Sequence, residues 1–286
     1  MSEVRVWKYQ ATGNDFVMLH DPRDERPLDP GEVAALCDRR FGIGADGAIR
    51  VTADAAGRPF MDYRNADGSV AEVCGNGLRC VAILLRDLAA EPGSSFEVTT
   101  RAGVRTVELV AEDRVSVDMG VPKFTKAAIP MRGPAWETFL DEEVDLGDGL
   151  VPRAFAVSMG NPHLVLFLGE SPDRFPVAHL GAALELDPRF PEGTNVEFAR
   201  VDGERIEARV WERGSGETMA CGSGACAVAV AAHEAGLAGP RASIRFPGGV
   251  LDVERLDGGH VVLAGAATRV FETTIDPAGL ARDLPA

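Results

Sequence analysis

A cysteine on a glycine-rich turn occurs twice in this chain. Cys74-Gly75-Asn76-Gly77 returns 147 residues later as Cys221-Gly222-Ser223-Gly224. The same offset carries Gly13-Asn14 onto Gly160-Asn161 and Asn65 onto Glu212. Polar positions that stay in register across so long a stretch mark an internal duplication. The length of 286 residues accommodates two domains of that size. The expected halves are residues 1–122 and 123–265.

After each cysteine the sequence turns apolar with helical spacing. The first run, Leu78 to Arg86, carries only Arg79 and Arg86 as charged residues; the second, Ala225 to Ala232, has no polar side chain. A helix apolar on every side must be enclosed on every side. The expected fold class is therefore α+β: two pseudo-symmetric domains, each a mixed sheet or barrel wrapped around a central apolar helix. Strands are expected on both sides of that helix, among them Val4 to Tyr9, Phe16 to Leu19 and Phe60 to Arg64 in the first half. Asp29-Pro30 opens a further helix, with proline at the first helical position. Residues 123–150 read as the connection between halves, with Asp141, Glu142, Glu143 and Asp145 as solvated surface. Gly42-Ile43-Gly44-Ala45-Asp46-Gly47 matches a dinucleotide-binding pattern, but a helix precedes it and a strand follows. That order is the reverse of what a pyrophosphate site needs.

A net charge of −15 disfavours nucleic acid and anionic membranes as partners. Met1 to Val6 lacks the features of a signal peptide, and no apolar run is long enough for a membrane span. Five cysteines, an odd number, point to free thiols in a reducing compartment, so the expected location is the cytoplasm. The cysteine spacings are not those of a zinc site, and no metal is expected. Lys8, Lys123 and Lys126, the only lysines, lie outside the repeated blocks, which removes the Schiff-base lysine of a pyridoxal-phosphate racemase. Cys37, Cys80 and Cys226 read as small core residues.

Cys74 and Cys221 each stand just before a helix, where exposed backbone N–H groups and the macrodipole favour negative charge. The expected consequences are a lowered thiol pKa, to roughly 7, and an anion site beside the sulfur. Two such thiols on opposite sides of one cleft can take a proton from a carbon acid and return one to its other face. Mutual repulsion favours one thiolate and one thiol, the charge pattern of a two-base racemase. Asn14, Asn65, Asn76, Asn161 and Asn195 suit a small zwitterion, since an amide both donates and accepts. Glu212 suits an ammonium and Arg213 a carboxylate.

Taken together, Thr12 to Phe16, Arg64 to Ser69, Cys74 to Gly77, Gly160 to His163, Glu212 to Gly214 and Ala220 to Gly224 resemble diaminopimelate epimerases over essentially the whole chain. The resemblance implies a cofactor-independent epimerase that converts LL-2,6-diaminopimelate to the meso form for lysine and peptidoglycan precursors. It implies Cys74 and Cys221 as the acid/base pair, with His163 and Glu212 supporting them electrostatically. Asn14, Asn65, Asn161, Asn195, Glu212, Arg213, Gly75-Asn76 and Gly222-Ser223 would hold substrate. It also implies a homodimer, and a C-terminal segment, about 266–286, that packs against the first half. The chain departs from the family at Gly47, where many members carry a substrate-contacting glutamine. A same-fold racemase of another amino acid stays open as an alternative, as does a cysteine hydrolase or transferase using His163.

Overall fold

The computed structural model describes residues 3–71, 74–90 and 93–276. In chain order, β1 (Val4–Ala11) and β2 (Asn14–His20) lead into α1 (Pro30–Cys37), and β3 (Gly47–Ala53) and β4 (Pro59–Asn65) into α2 (Gly75–Asp87). Three strands follow: β5 (Ser95–Thr100), β6 (Gly103–Ala111) and β7 (Arg114–Asp118). Next come β8 (Leu140–Glu143), β9 (Arg153–Ser158), β10 (Pro162–Phe167), α3 (Val177–Glu185), β11 (Asn195–Asp202), β12 (Arg205–Glu212) and the short β13 (Gly216–Thr218). The chain continues through α4 (Gly222–Glu234), β14 (Arg241–Phe246), β15 (Gly249–Arg255), β16 (Val261–Ala266) and β17 (Thr268–Ile275).

It divides into two units, residues 1–117 with 265–286, and residues 118–264. In the first, strand pairing runs β17–β1–β2–β3–β4–β5–β6–β7, with β2–β3 and β4–β5 parallel and the other pairs antiparallel. In the second it runs β8–β9–β10–β11–β12–β14–β15–β16, with β10–β11 and β12–β14 parallel. Each parallel step is crossed by a helix, as parallel neighbours require: α1 and α2 in the first unit, α3 and α4 in the second. The two units are thus mixed α+β sheets of one topology.

Local chemistry accounts for the helix starts. Asp29 N-caps α1, its side chain accepting from Gly31 and Glu32 N–H, with Pro30 in the first turn. The two longer helices, α2 and α4, each span 13 residues and start at matched positions. Leu78 to Leu85 are buried in α2, as are Gly224 to Ala232 in α4. The first packs against β1, β4, β6 and β17, the second against β9, β10, β11, β14 and β15. Each large aliphatic side chain buried this way contributes roughly 1.5–3 kcal/mol. No helix among the described residues is long and apolar enough to cross a membrane.

The acidic run read as solvated surface is exposed at Asp141, Glu142, Glu143 and Asp145, and its backbone, not foreseen as a strand, forms β8 and pairs with β9. It is an outer strand, and outward charge is what blunts an edge. Within the first unit the strand flanking β1 is instead β17, the last of the described chain, in register from Val4 opposite Ile275 to Gln10 opposite Thr268. Residues 277–286, the rest of the C-terminal segment expected to pack on the first half, lie outside the described residues.

Candidate active site

Both motif cysteines are the N-caps of their helices. Cys74 Sγ accepts the Gly77 N–H at 3.4 Å, and Cys221 Sγ accepts the Gly224 N–H at the same distance. Extended φ/ψ at each cap (−142°, 116° and −122°, 124°) turns the sulfur back over the first turn. Here the first-turn N–H groups lack intrahelical acceptors, so each sulfur lies beside a donor-rich surface.

In the first unit, Cys74 is half-buried with its thiol directed at Asn14 Oδ1, 3.7 Å away. Asn76 Nδ2 donates to the same oxygen at 3.2 Å. Asn14 is oriented from its other end, Nδ2 donating to Asp46 Oδ2 at 2.7 Å. Asp46 in turn pairs with Arg39, which also grips Asp15, and Asp15 meets the buried Lys8 at 2.7 Å. Behind Asn76 lies Arg79, fully buried, whose Nη2 donates to Asn76 Oδ1 at 2.8 Å and to Thr12 Oγ1 at 3.1 Å. Asn65 ends β4, and its amide donates to Ser69 Oγ at 3.0 Å within the following turn.

The charge network has a pH signature. Burial opposes ionisation of Asp15, but Arg39 and Lys8 outweigh it and hold the carboxyl at about 2, below its usual 3.8. Stability from this group is complete above the ordinary value and is lost as pH falls through about 2. Denaturant unfolding of the parent and of Asp15→Asn is expected to show a parent advantage at pH 7 that shrinks as pH is lowered toward 2.

In the second unit the sulfur is more enclosed, Cys221 being 5% exposed. Its Sγ lies 3.4 Å from Ser223 Oγ, and Asn161 Nδ2 donates to that hydroxyl at 3.3 Å. Asn161 Oδ1 lies 2.9 Å from His163 Nε2, and His163 Nδ1 lies 2.6 Å from Glu197 Oε1. Glu212 ends β12 and accepts from the Thr218 hydroxyl. Burial raises the Glu212 pKa, opposed by its hydrogen bonds from Thr218 and the Cys221 thiol. Asn195 is buried and its amide engages backbone at both ends, donating to Pro162 O at 2.8 Å and accepting from Arg213 N–H at 2.9 Å. The Arg213 guanidinium donates to Glu192 O at 3.0 Å.

The expectation of a lowered thiol pKa fails at Cys221. Burial pushes this thiol well above its ordinary value, and the Glu212 and Glu197 carboxylates push it further; Ser223 and the Gly224 N–H pull the other way and lose. A helix terminus contributes at most ~2 kcal/mol, too little against desolvation and two nearby acids. Cys37 and Cys80 lie in the core, where burial pushes Cys37 up to about 12 and raises Cys80 as well. At Gly47 a Cβ would sit 2.5 Å from Arg64 O and 2.6 Å from the Tyr63 ring, so β4 fills the space where a side chain would begin.

Sequence reasoning passed over Asp46, Arg79 and Glu197. Arg79 left a trace, as a cation on an otherwise apolar helix, and Asp46 appeared only within the rejected glycine motif.

A family described as diaminopimelate epimerase matches the chain over residues 6–125 and 155–270. A diaminopimelate epimerase from Pelotomaculum thermopropionicum is 42% identical over 271 residues, covering 92% of this chain and 96% of that protein. Another from Desulforudis audaxviator is 44% identical over 275 residues, covering 93% and 96%. Among solved structures, a phenazine biosynthesis protein of the PhzF family from Bacillus anthracis has a TM-score of 0.69 at 16% identity, covering 96% of this chain and 99% of its own. That likeness shows a shared fold, and a fold alone does not fix a reaction.

Proposed function

The chain belongs to the diaminopimelate epimerase family of isomerases, and from that premise we propose that it interconverts LL- and meso-diaminopimelate with Cys74 and Cys221 as opposed acid and base, without a cofactor. The observation that carries this reading is the matched pair of half-sites: two sulfurs, each capping a buried helix and each receiving a first-turn N–H at 3.4 Å.

The chemistry balances. A Cys74 thiolate takes the α-proton, forming S–H and leaving the electron pair delocalised into the substrate carboxylate. Cys221 then delivers its own proton to the opposite face of that carbon. Turnover leaves Cys74 as thiol and Cys221 as thiolate, and solvent resets the pair. Burial and the Glu212 and Glu197 carboxylates favour the protonated Cys221 thiol, which suits it to donate. Carboxylate charge is greatest in the carbanionic transition state, where the N–H groups of Gly75-Asn76 and Gly222-Ser223 would meet it without reorganisation. Asn14, Asn65, Asn161 and Asn195 would contribute amide contacts, Glu212 an acceptor for an ammonium and Arg213 a partner for a carboxylate.

The test is direct. Purified chain, dialysed and given no pyridoxal phosphate, is mixed with LL- or meso-diaminopimelate and the isomers are separated by chiral chromatography. Both starting points are expected to converge on one mixture. If neither isomer changes while another amino acid racemises, a same-fold racemase replaces this reading.

We also propose a cytoplasmic homodimer. Every residue of β17 from Thr268 to Thr274 is exposed, including the apolar Val270 at 57% and Phe271 at 42%, on an outer strand that a second copy would cover. Sedimentation equilibrium is expected to give twice the 30.3 kDa chain mass; a monomer at micromolar concentration would contradict it.

A further inference from the structure

Glu197 is a carboxylate in a place that packing alone does not favour. It lies on β11, fully buried, between Val196 and Phe198, which are also fully buried. A charged group so placed is costly unless it is paired and hydrogen-bonded. One oxygen, Oε1, meets His163 Nδ1 at 2.6 Å; the other, Oε2, has no hydrogen-bond partner among the described residues. The carboxylate lies under the first turn of α4: a Cβ at Gly224 would sit 2.7 Å from Oε1. The helix start thus favours the negative charge, and glycine at 224 is what lets it approach.

We infer that Glu197 is a positioning residue, which acts through His163 and Asn161 to fix the donor presented to Ser223 and the Cys221 turn. This rests on the reading of Cys221 as a reacting thiol. The links are Glu197 to His163 at 2.6 Å, His163 to Asn161 at 2.9 Å, Asn161 to Ser223 at 3.3 Å and Ser223 to Cys221 at 3.4 Å. A carboxylate oxygen only accepts, so it draws an N–H from Nδ1 and fixes the ring's orientation. Nε2 faces the Asn161 carbonyl oxygen, which also only accepts, so both contacts are made when each ring nitrogen carries an N–H, the imidazolium that a buried carboxylate favours; with its oxygen so taken, the amide presents its NH₂ to Ser223. Without Glu197 the ring and the amide can both turn over, and the group offered to Ser223 changes from donor to acceptor.

The ionisable groups that face Glu197 are His163 from β10, Glu212 from β12 and Cys221 from the start of α4. The arrangement belongs to one half alone. At the matched positions the first unit has Phe16 for His163 and Arg50 for Glu197, and Arg50 is committed to Asp21, Asp24 and Asp62. Duplication preserved the two sulfurs and diverged behind them.

Glu197→Gln removes the charge at nearly constant volume. It is expected to lower kcat about 10-fold in both directions, less than the 10² to 10⁴ of a group that itself moves the proton, while KM stays within about twofold. The ¹⁵N spectrum of the His163 ring, assigned by its loss in His163→Gln, is expected to change its protonation pattern in the same variant. A purely structural role would lower the unfolding temperature and leave kcat and the ring spectrum of the folded enzyme unchanged. Glu197→Asp, which keeps the charge but withdraws it by one methylene, serves the same comparison if the glutamine variant does not fold. A kcat within twofold of the parent, with the ring spectrum unaltered, overturns the inference. The ring spectrum is read without substrate, so it still decides the Glu197–His163 link if the parent proves inactive on diaminopimelate.

Discussion

Cys74→Ala and Cys221→Ala are each expected to lose epimerisation by at least about 10³-fold, with the fold intact. The magnitude follows from the proposed mechanism, in which each cysteine serves one face of the carbon: removing a positioned acid or base typically costs 10² to 10⁴. Structural damage should be small. Each sulfur accepts a long N–H contact as N-cap, so the loss is expected to be about that of an ordinary cap, ~0.5–2 kcal/mol. Circular dichroism and substrate binding by calorimetry should therefore stay close to the parent while kcat collapses. Turnover near the parent value in either variant would remove that cysteine from the reaction.

The largest effect on stability is expected at Arg79. Its guanidinium, fully buried, ties together α2, the turn after β1 and the segment before β17 through Asn76, Gly75 O, Thr12 and Ala266 O. Methionine fills similar volume but donates nothing, so several buried acceptors would lose their donor at about 1–3 kcal/mol each. Partial relaxation makes a total near 3 kcal/mol the reasonable expectation for Arg79→Met, measured by urea unfolding. Activity should fall with it, because Asn76 shares Asn14 Oδ1 with the Cys74 thiol. A loss below about 1 kcal/mol would show that these contacts are not what holds the turn.

What repeats was legible in the sequence. Cys74 and Cys221, Asn14 and Asn161, and the two 13-residue helices stood out because duplication printed them twice. What diverged was not. Glu197 is matched by Arg50 and Arg79 by Cys226, so comparing the halves offers no second copy of either. The strand β8 hid in an acidic run because exposed edges tolerate charge, and periodicity says nothing about backbone pairing. The Cys221 proton affinity came out with the wrong sign for a related reason. The helix terminus is local and readable, whereas burial and the approach of Glu212 and Glu197 depend on how the strands pack, which no local pattern gives. Asn195 shows the same limit, since nothing local reveals that backbone engages both ends of its amide.

On the proposed mechanism two sulfurs serve opposite faces of one carbon, and the forward reaction run in deuterium oxide and stopped within the first few percent of conversion puts this to the test. The mechanism predicts deuterium at the inverted α-carbon of every meso molecule and none in the LL-isomer still present, since the acid that reprotonates is not the base that abstracted. Deuterium entering unreacted LL-isomer as fast as product, or protium carried over into the product, would contradict it.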